Sequence, residues 1–170
     1  MRFFSVLLLS AACAFGAGEL SNRRAPGFSL PETGSKFHDL QDYRGKILII
    51  DFMQVSCPHC VTFSAILEQA KVKYGDKIAV LSIVNPPSDQ NGVTDYIAKN
   101  KIKSPILFDC GQVAFSYLKP SSPQITIPHV FLIDADGVIR NDFSFGPANA
   151  AIFEGKGLFA ELEKMLAPKK

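Results

Sequence analysis

The 170-residue sequence has no tryptophan, three histidines and four cysteines, and no excess of either charge, with 18 basic against 16 acidic residues and a net charge of +2. Those charges are spread along the chain, so no electrostatic footprint favours nucleic acid or an acidic membrane surface. No apolar run reaches the length of about 20 residues that a membrane-spanning helix needs. Repeats and low-complexity segments are absent, and so are the second C-x-x-C and the spaced histidine pair of common zinc sites.

What is present suits one globular domain. Hydrophobic residues make up 47% of the chain and charged residues 20%, enough for a single sizeable core. Met1-Arg2 is a positive start, residues 3–9 are almost wholly apolar, and residues 11–17 are mostly small. This pattern predicts a secretory signal peptide over 1–17, followed by a polar linker at 18–24 and a folded domain at 25–168. The mature protein is therefore expected outside the cytoplasm, periplasmic or secreted. Cys13 follows small residues near the end of the leader and is the candidate lipid-anchor site; the alternative is that it is lost with the leader. Without Cys13, Cys57, Cys60 and Cys110 remain, an odd number in a compartment that permits disulfides.

Residues 25–45 are rich in Pro, Gly and short polar residues and predict a packed extension with little regular structure. Residues 46–53 and 78–84 are continuous β-rich apolar runs, as in central strands covered on both faces. Between them, residues 61–74 carry apolar side chains at helical spacing, completing a strand-helix-strand unit with a parallel pair. Helices are expected at 89–101 and 113–118, and a short strand at 104–108. Strands at 130–133 and 138–140 flank Asp134-Ala135-Asp136-Gly137, a hairpin signal, and the last helix presents Leu158, Leu162 and Leu166 on one face. The order predicts an α/β fold with a mixed central sheet flanked by helices.

The chemistry concentrates in Cys57-Pro58-His59-Cys60, where strand yields to helix. A helix start brings residues i and i+3 close enough for a readily exchanged disulfide. Cys57 faces the unpaired amides and positive end of the helix, which favour a thiolate, and Cys60 sits one turn deeper. Cys57 is thus the expected nucleophile and Cys60 the resolving thiol. Pro58 is tolerated in the first turn, and His59 can add charge or hydrogen bonding beside the sulfurs. Cys110 follows a strand, at a sheet edge or helix start, and is expected either to be a buried small side chain or to reach the active site; His38 is expected to be a surface residue.

The segments IDFMQVSCPHC and TIPHVFLIDADGVI resemble the active-site segment and the proline loop with its hairpin in thioredoxin-like proteins. From residue 25 onward the chain resembles their exported TlpA/ResA-type branch, related to the AhpC/TSA redoxins. The resemblance implies a thioredoxin-like fold and thiol-disulfide oxidoreductase activity, with no cofactor and no metal. Cys57 and Cys60 would then form the redox disulfide, and Pro128 would be a cis-proline. Ile127, Pro128 and His129 would bind substrate, while Asp51 would accept the proton of Cys60. It further implies protein or peptide thiols and disulfides as substrates, and a membrane thiol-disulfide redox partner. The sequence departs from the pattern at Met53 and Ser56, where thioredoxins usually carry tryptophan, and at Phe63, which replaces an acidic residue. Pro58-His59 is the dipeptide of the strong oxidant DsbA, so a pair more oxidising than that of thioredoxin is expected.

Two other readings use the same residues. A peroxiredoxin-like thiol peroxidase shares the hairpin motif, but Ile50 and Gln54 stand where its active-site Pro and Thr or Ser would be, and no arginine lies between Lys103 and Arg140. A copper- or zinc-binding thioredoxin-fold protein would use Cys57 and Cys60 with His129 or Cys110.

Overall fold

The computed structural model describes residues 18–84, 89–120 and 125–168. The expected leader at 1–17, including Cys13, lies outside them. The strands are β1 (Arg23–Arg24), β2 (Ser29–Pro31), β3 (Phe37–Asp39), β4 (Ile47–Met53), β5 (Ile78–Val84), β6 (Ile106–Phe108), β7 (His129–Ile133) and β8 (Val138–Ser144). The helices are α1 (Pro58–Tyr74), α2 (Gln90–Asn100), α3 (Gln112–Leu118), α4 (Ala150–Phe153) and α5 (Lys156–Leu166).

β4 and β5 are buried at every position, which is why their sequences run apolar without alternation. They pair in parallel, with Asp51 opposite Ser82, and β6 continues the parallel part beyond β5. β7 lies antiparallel on the other side of β4, and β8 antiparallel to β7. The sheet order is β1-β8-β7-β4-β5-β6. Parallel neighbours need a crossover, and α1 makes the one from β4 to β5.

Helices cover both faces. On one, Phe63 and Leu67 of α1, Phe153 of α4 and Leu158 and Leu162 of α5 pack on Ile47, Ile49, Val130 and Leu132. On the other, Tyr117 of α3 and Phe28 and Leu40 of the extension pack on Leu48, Ile50, Phe52 and Phe131. Burying each such side chain contributes about 1.5–3 kcal/mol. A third cluster at the carboxyl ends of β4 and β5 gathers Met53, Cys60, Val84, Val93 and Tyr96. This thioredoxin-like arrangement is the mixed α/β sheet that the sequence predicts.

Four expectations change. The segment read as a polar linker supplies β1, whose Arg23 and Arg24 pair with Ile139 and Val138. Leu20 N and Ser21 Oγ donate to Asp142 Oδ1 at 3.0 and 2.6 Å. The extension read as irregular contains the β2–β3 hairpin and a 3-10 turn, Leu40–Tyr43, capped by Asp39. His38 is buried rather than superficial, because its Nδ1 meets the Tyr43 hydroxyl and its Nε2 lies 3.3 Å from Glu32 Oε2. Cys110 is exposed rather than buried. Its neighbour Asp109 takes the inward position and accepts hydrogen bonds from Val113 N at 3.1 Å and Ala114 N at 2.7 Å, which start α3.

Candidate active site

β4 delivers the chain to the mouth of α1, and Cys57 is the N-cap of that helix. Its Sγ accepts a hydrogen bond from Cys60 N at 3.2 Å, so the sulfur takes the place that a Ser or Asp oxygen usually fills at an N-cap. Pro58 is the first helical residue, where an N–H would have no intrahelical partner. Cys57 is half-buried, Cys60 is fully buried, and both are thiols. One sulfur is open to a partner molecule and the other waits behind it.

The buried sulfur is held as a thiol. Burial, then the interaction with Cys57, push the Cys60 thiol well above its ordinary range, while a backbone hydrogen bond at Gln54 pulls the other way. Asp51 and Cys57 add to the upward push through their charges. A thiol held in this way is protonated and a poor nucleophile.

Asp51 is close enough to act on this thiol through its charge. It sits in the middle of β4, fully buried, between Ser82 of β5 and Val130 of β7. Alternation along the strand turns its side chain to the α1 face, with Ile49 and Met53. Among the described residues neither carboxyl oxygen has a hydrogen-bond partner. Burial raises its pKa to about 8, since an unpaired charge in an apolar setting is costly.

Tyr96 of α2 packs in the same cluster as Cys60. Its hydroxyl and that of Ser64 are 2.8 Å apart and buried. Burial pushes Tyr96 up to about 12, the Ser64 hydrogen bond opposes the rise, and the charges of Asp51, Cys60 and Cys57 add to it. Neither Ser64 nor Tyr96 stands out in the sequence. Ser64 lies one helical turn after Cys60, and only the fold brings Tyr96 to it.

The Ile127-Pro128 peptide is cis, as the resemblance implied. Ile127 and Cys57 both pack against the cluster that holds Cys60, so the loop borders the sulfurs. Pro128 O accepts a hydrogen bond from Phe145 N at 3.0 Å. His59 is exposed and stacks on Phe145, with ring centroids 4.2 Å apart and planes at 27°. Phe145 in turn stands edge-on to Phe153 at 5.3 Å. These rings, with Thr62 and Glu154, line a cleft of about 380 Å³ beside the pair.

His129 follows Pro128, but its side chain turns into the sheet. It stacks on Phe131 at 4.8 Å, and its Nε2 lies 3.6 Å from Asp142 Oδ2. Burial pushes Asp142 up, but His129, Ser21 and the Leu20 amide outweigh it and hold the carboxyl below its ordinary range. Among the described residues no group of three or more His, Cys, Asp or Glu side chains is gathered to hold a metal ion. No helix among them is long and apolar enough to cross a membrane.

The AhpC/TSA family profile matches residues 21–142, which run from the segment entering β1 to Asp142 in β8 and include Cys57, Cys60 and Cys110. The chain belongs to the AhpC/TSA family. Among its relatives, the thioredoxin-like protein YneN of Bacillus subtilis is 25% identical over 126 residues, 73% of this chain and 71% of that protein. The thiol-disulfide oxidoreductase ResA of Bacillus cereus is 24% identical over 148 residues, covering 81% of this chain and 83% of that protein. A thioredoxin-family thiol:disulfide interchange protein from Chlorobium tepidum superposes with a TM-score of 0.66 at 20% identity, over 80% of this chain and 94% of that one. A secreted Mycobacterium tuberculosis disulfide oxidoreductase, homologous to E. coli DsbE, gives 0.65 at 19% identity, over 79% and 95%. Sequence and fold together put this AhpC/TSA chain among the thioredoxin-like proteins of the TlpA/ResA type.

Proposed function

We propose that the protein is an exported thiol-disulfide oxidoreductase that exchanges disulfides with protein or peptide thiols through Cys57 and Cys60. The observation that carries this reading is the stacked order of three groups: an accessible sulfur capping a helix, a buried thiol one turn behind it, and an unpartnered buried carboxylate.

In the reducing direction the Cys57 thiolate attacks one sulfur of a client disulfide. That S–S bond breaks, the second client sulfur leaves as a thiolate, and a Cys57–client mixed disulfide remains. Asp51 then takes the proton of Cys60, whose sulfur attacks Cys57 Sγ and releases the first client sulfur as a thiolate. The client gains two electrons and the Cys57–Cys60 pair loses two, ending as a disulfide. In the oxidising direction every step runs in reverse, and Asp51 returns the proton. A membrane thiol-disulfide partner resets the pair.

Ile127, Pro128 and His129 provide the edge on which an extended client segment lies, with Ile127 nearest the sulfurs. His129 supports this edge from behind, since its backbone is paired with Phe52 of β4 and Ser144 of β8 and its ring is committed to Phe131 and Asp142. Pro58 and His59 set a potential more oxidising than thioredoxin's value of about −270 mV. The site of action is extracytoplasmic, periplasmic or secreted, with membrane anchoring if Cys13 carries lipid.

The test is trapping. The Cys60→Ala variant should accumulate mixed disulfides at Cys57, identified by non-reducing electrophoresis and mass spectrometry. Absence of any Cys57 adduct removes the proposed nucleophile. Rapid turnover of hydrogen peroxide with a dithiol reductant would favour the thiol peroxidase instead.

A further inference from the structure

We infer that Tyr96 is a positioning residue for the closing step: its hydroxyl, held by Ser64, supplies the hydrogen-bond donor that steadies the negative charge passed between Asp51 and Cys60. The inference rests on the Cys57–Cys60 reading with Asp51 as its base, and deepens it.

Ser64 lies one turn after Cys60 on the same face of α1, which sets their β-carbons about 5–6 Å apart. Both side chains are buried, and a helical side chain leans back toward the N-terminus, here from Ser64 toward Cys60. Tyr96 Oη lies 2.8 Å from Ser64 Oγ. The phenol of α2 is thereby brought to the turn that carries the buried sulfur. Two hydroxyls own two protons, and the bond between them uses one. The second remains available beside a carboxyl whose oxygens have no partner among the described residues.

The charges of Asp51, Cys60 and Cys57 all act on Tyr96, and those of Asp51 and Cys57 act on Cys60. Burial and these charges push Tyr96 up to about 12 against the opposing bond from Ser64. The phenol therefore keeps its proton at neutral pH and serves as a donor rather than as a second base. No cation among the described residues acts on Asp51 or Cys60. Val84 of β5, Ile106 of β6 and Ile127 of the proline loop add only apolar side chains to the cluster. Glu68, one turn beyond Ser64, spends its carboxylate on the amides of Lys103 and Ser104 at 3.2 and 2.8 Å, and Asp95 and Lys99 of α2 are exposed. A neutral donor is thus the group left to meet the charge, and a hydrogen bond to the ionised form favours that form.

The experiment follows the closing step by stopped flow in the full chain carrying Cys110→Ser, which removes the exposed third thiol. An aromatic disulfide modifies Cys57 and releases one coloured thiolate, and Cys60 then displaces a second, whose rate is recorded against pH. In Tyr96→Phe, which keeps the ring and removes the donor, the midpoint of the second phase should rise by about one unit, and the rate at pH 7 should fall about tenfold. Ser64→Ala leaves the phenol without its anchor and should raise the midpoint by about half a unit; it decides the matter should Tyr96→Phe not fold. A purely structural role would lower Tm and leave the midpoint in place. An unmoved or lowered midpoint in either variant overturns the inference. A parent second phase with no rise near pH 8 overturns Asp51 as the base, and a parent with no second phase at all overturns the oxidoreductase reading.

Discussion

Asp51 on β4 and Asp142 on β8 are both buried in one sheet, and their surroundings differ in every respect. Asp142 accepts from Leu20 N and Ser21 Oγ and faces His129, and its carboxyl is held below the ordinary range. Asp51 has no hydrogen-bond partner among the described residues and is raised to about 8. A partnered carboxylate keeps its charge and fastens a segment, here the stretch leading into β1. An unpartnered one is held near neutrality, and in the proposed mechanism it exchanges a proton with the buried thiol Cys60.

The largest effect expected from this contrast is kinetic. Asp51→Asn keeps the shape and removes the base, so resolution of a Cys57 mixed disulfide should slow about 10²-fold. Asp142→Asn should leave that rate within about twofold in the same quench-flow assay. Comparable slowing in both variants would erase the distinction.

Stability should respond the other way round. Asp142→Ala strands Ser21 and the Leu20 amide and should cost about 2–3 kcal/mol, or about 6 °C in Tm by calorimetry. The pKa of Asp142 is lowered in the folded state, so its contribution is present above the unfolded value and lost as pH falls through the folded one. Asp51 is raised, so its favourable contribution is complete below about pH 4 and disappears as pH rises toward 8. Asp51→Asn should therefore match the parent at pH 4 and be clearly more stable than it at pH 8, where the parent must carry an unpaired buried charge. Equal Tm values at both pH values would mean that Asp51 is not desolvated. The smallest change is expected from Tyr96→Phe, which removes the bond to Ser64 and should cost about 1 kcal/mol.

The parts legible in the sequence are those set by local pattern. Residues 78–84 are read as a strand and form one with the same bounds, because coverage on both faces leaves no polar alternation. Cys57, Pro58, His59 and Cys60 need only their own spacing to be noticed. Elements held by distant partners are not legible in this way. β1 is two residues long and exists through its pairing with Ile139 and Val138, and Asn141 and Asp142 conceal the continuation of β8 to Ser144. His38 looks superficial until Tyr43 and Glu32 enclose it, and Cys110 looks buried until Asp109 takes the inward place. Likewise nothing local ties Phe145 to His59, or Tyr96 to Ser64.

The most direct test of the central claim follows the closing step alone. Reduced protein carrying Cys110→Ser, which removes the exposed third thiol, releases one coloured thiolate from an aromatic disulfide as Cys57 is modified and a second when Cys60 displaces it. The rate of the second phase should be recorded by stopped flow between about pH 6 and 10. With Asp51 as the base, the parent rate should rise with a midpoint near its pKa of about 8, and Asp51→Asn should lack that rise. Superimposable profiles for the two proteins would contradict the account.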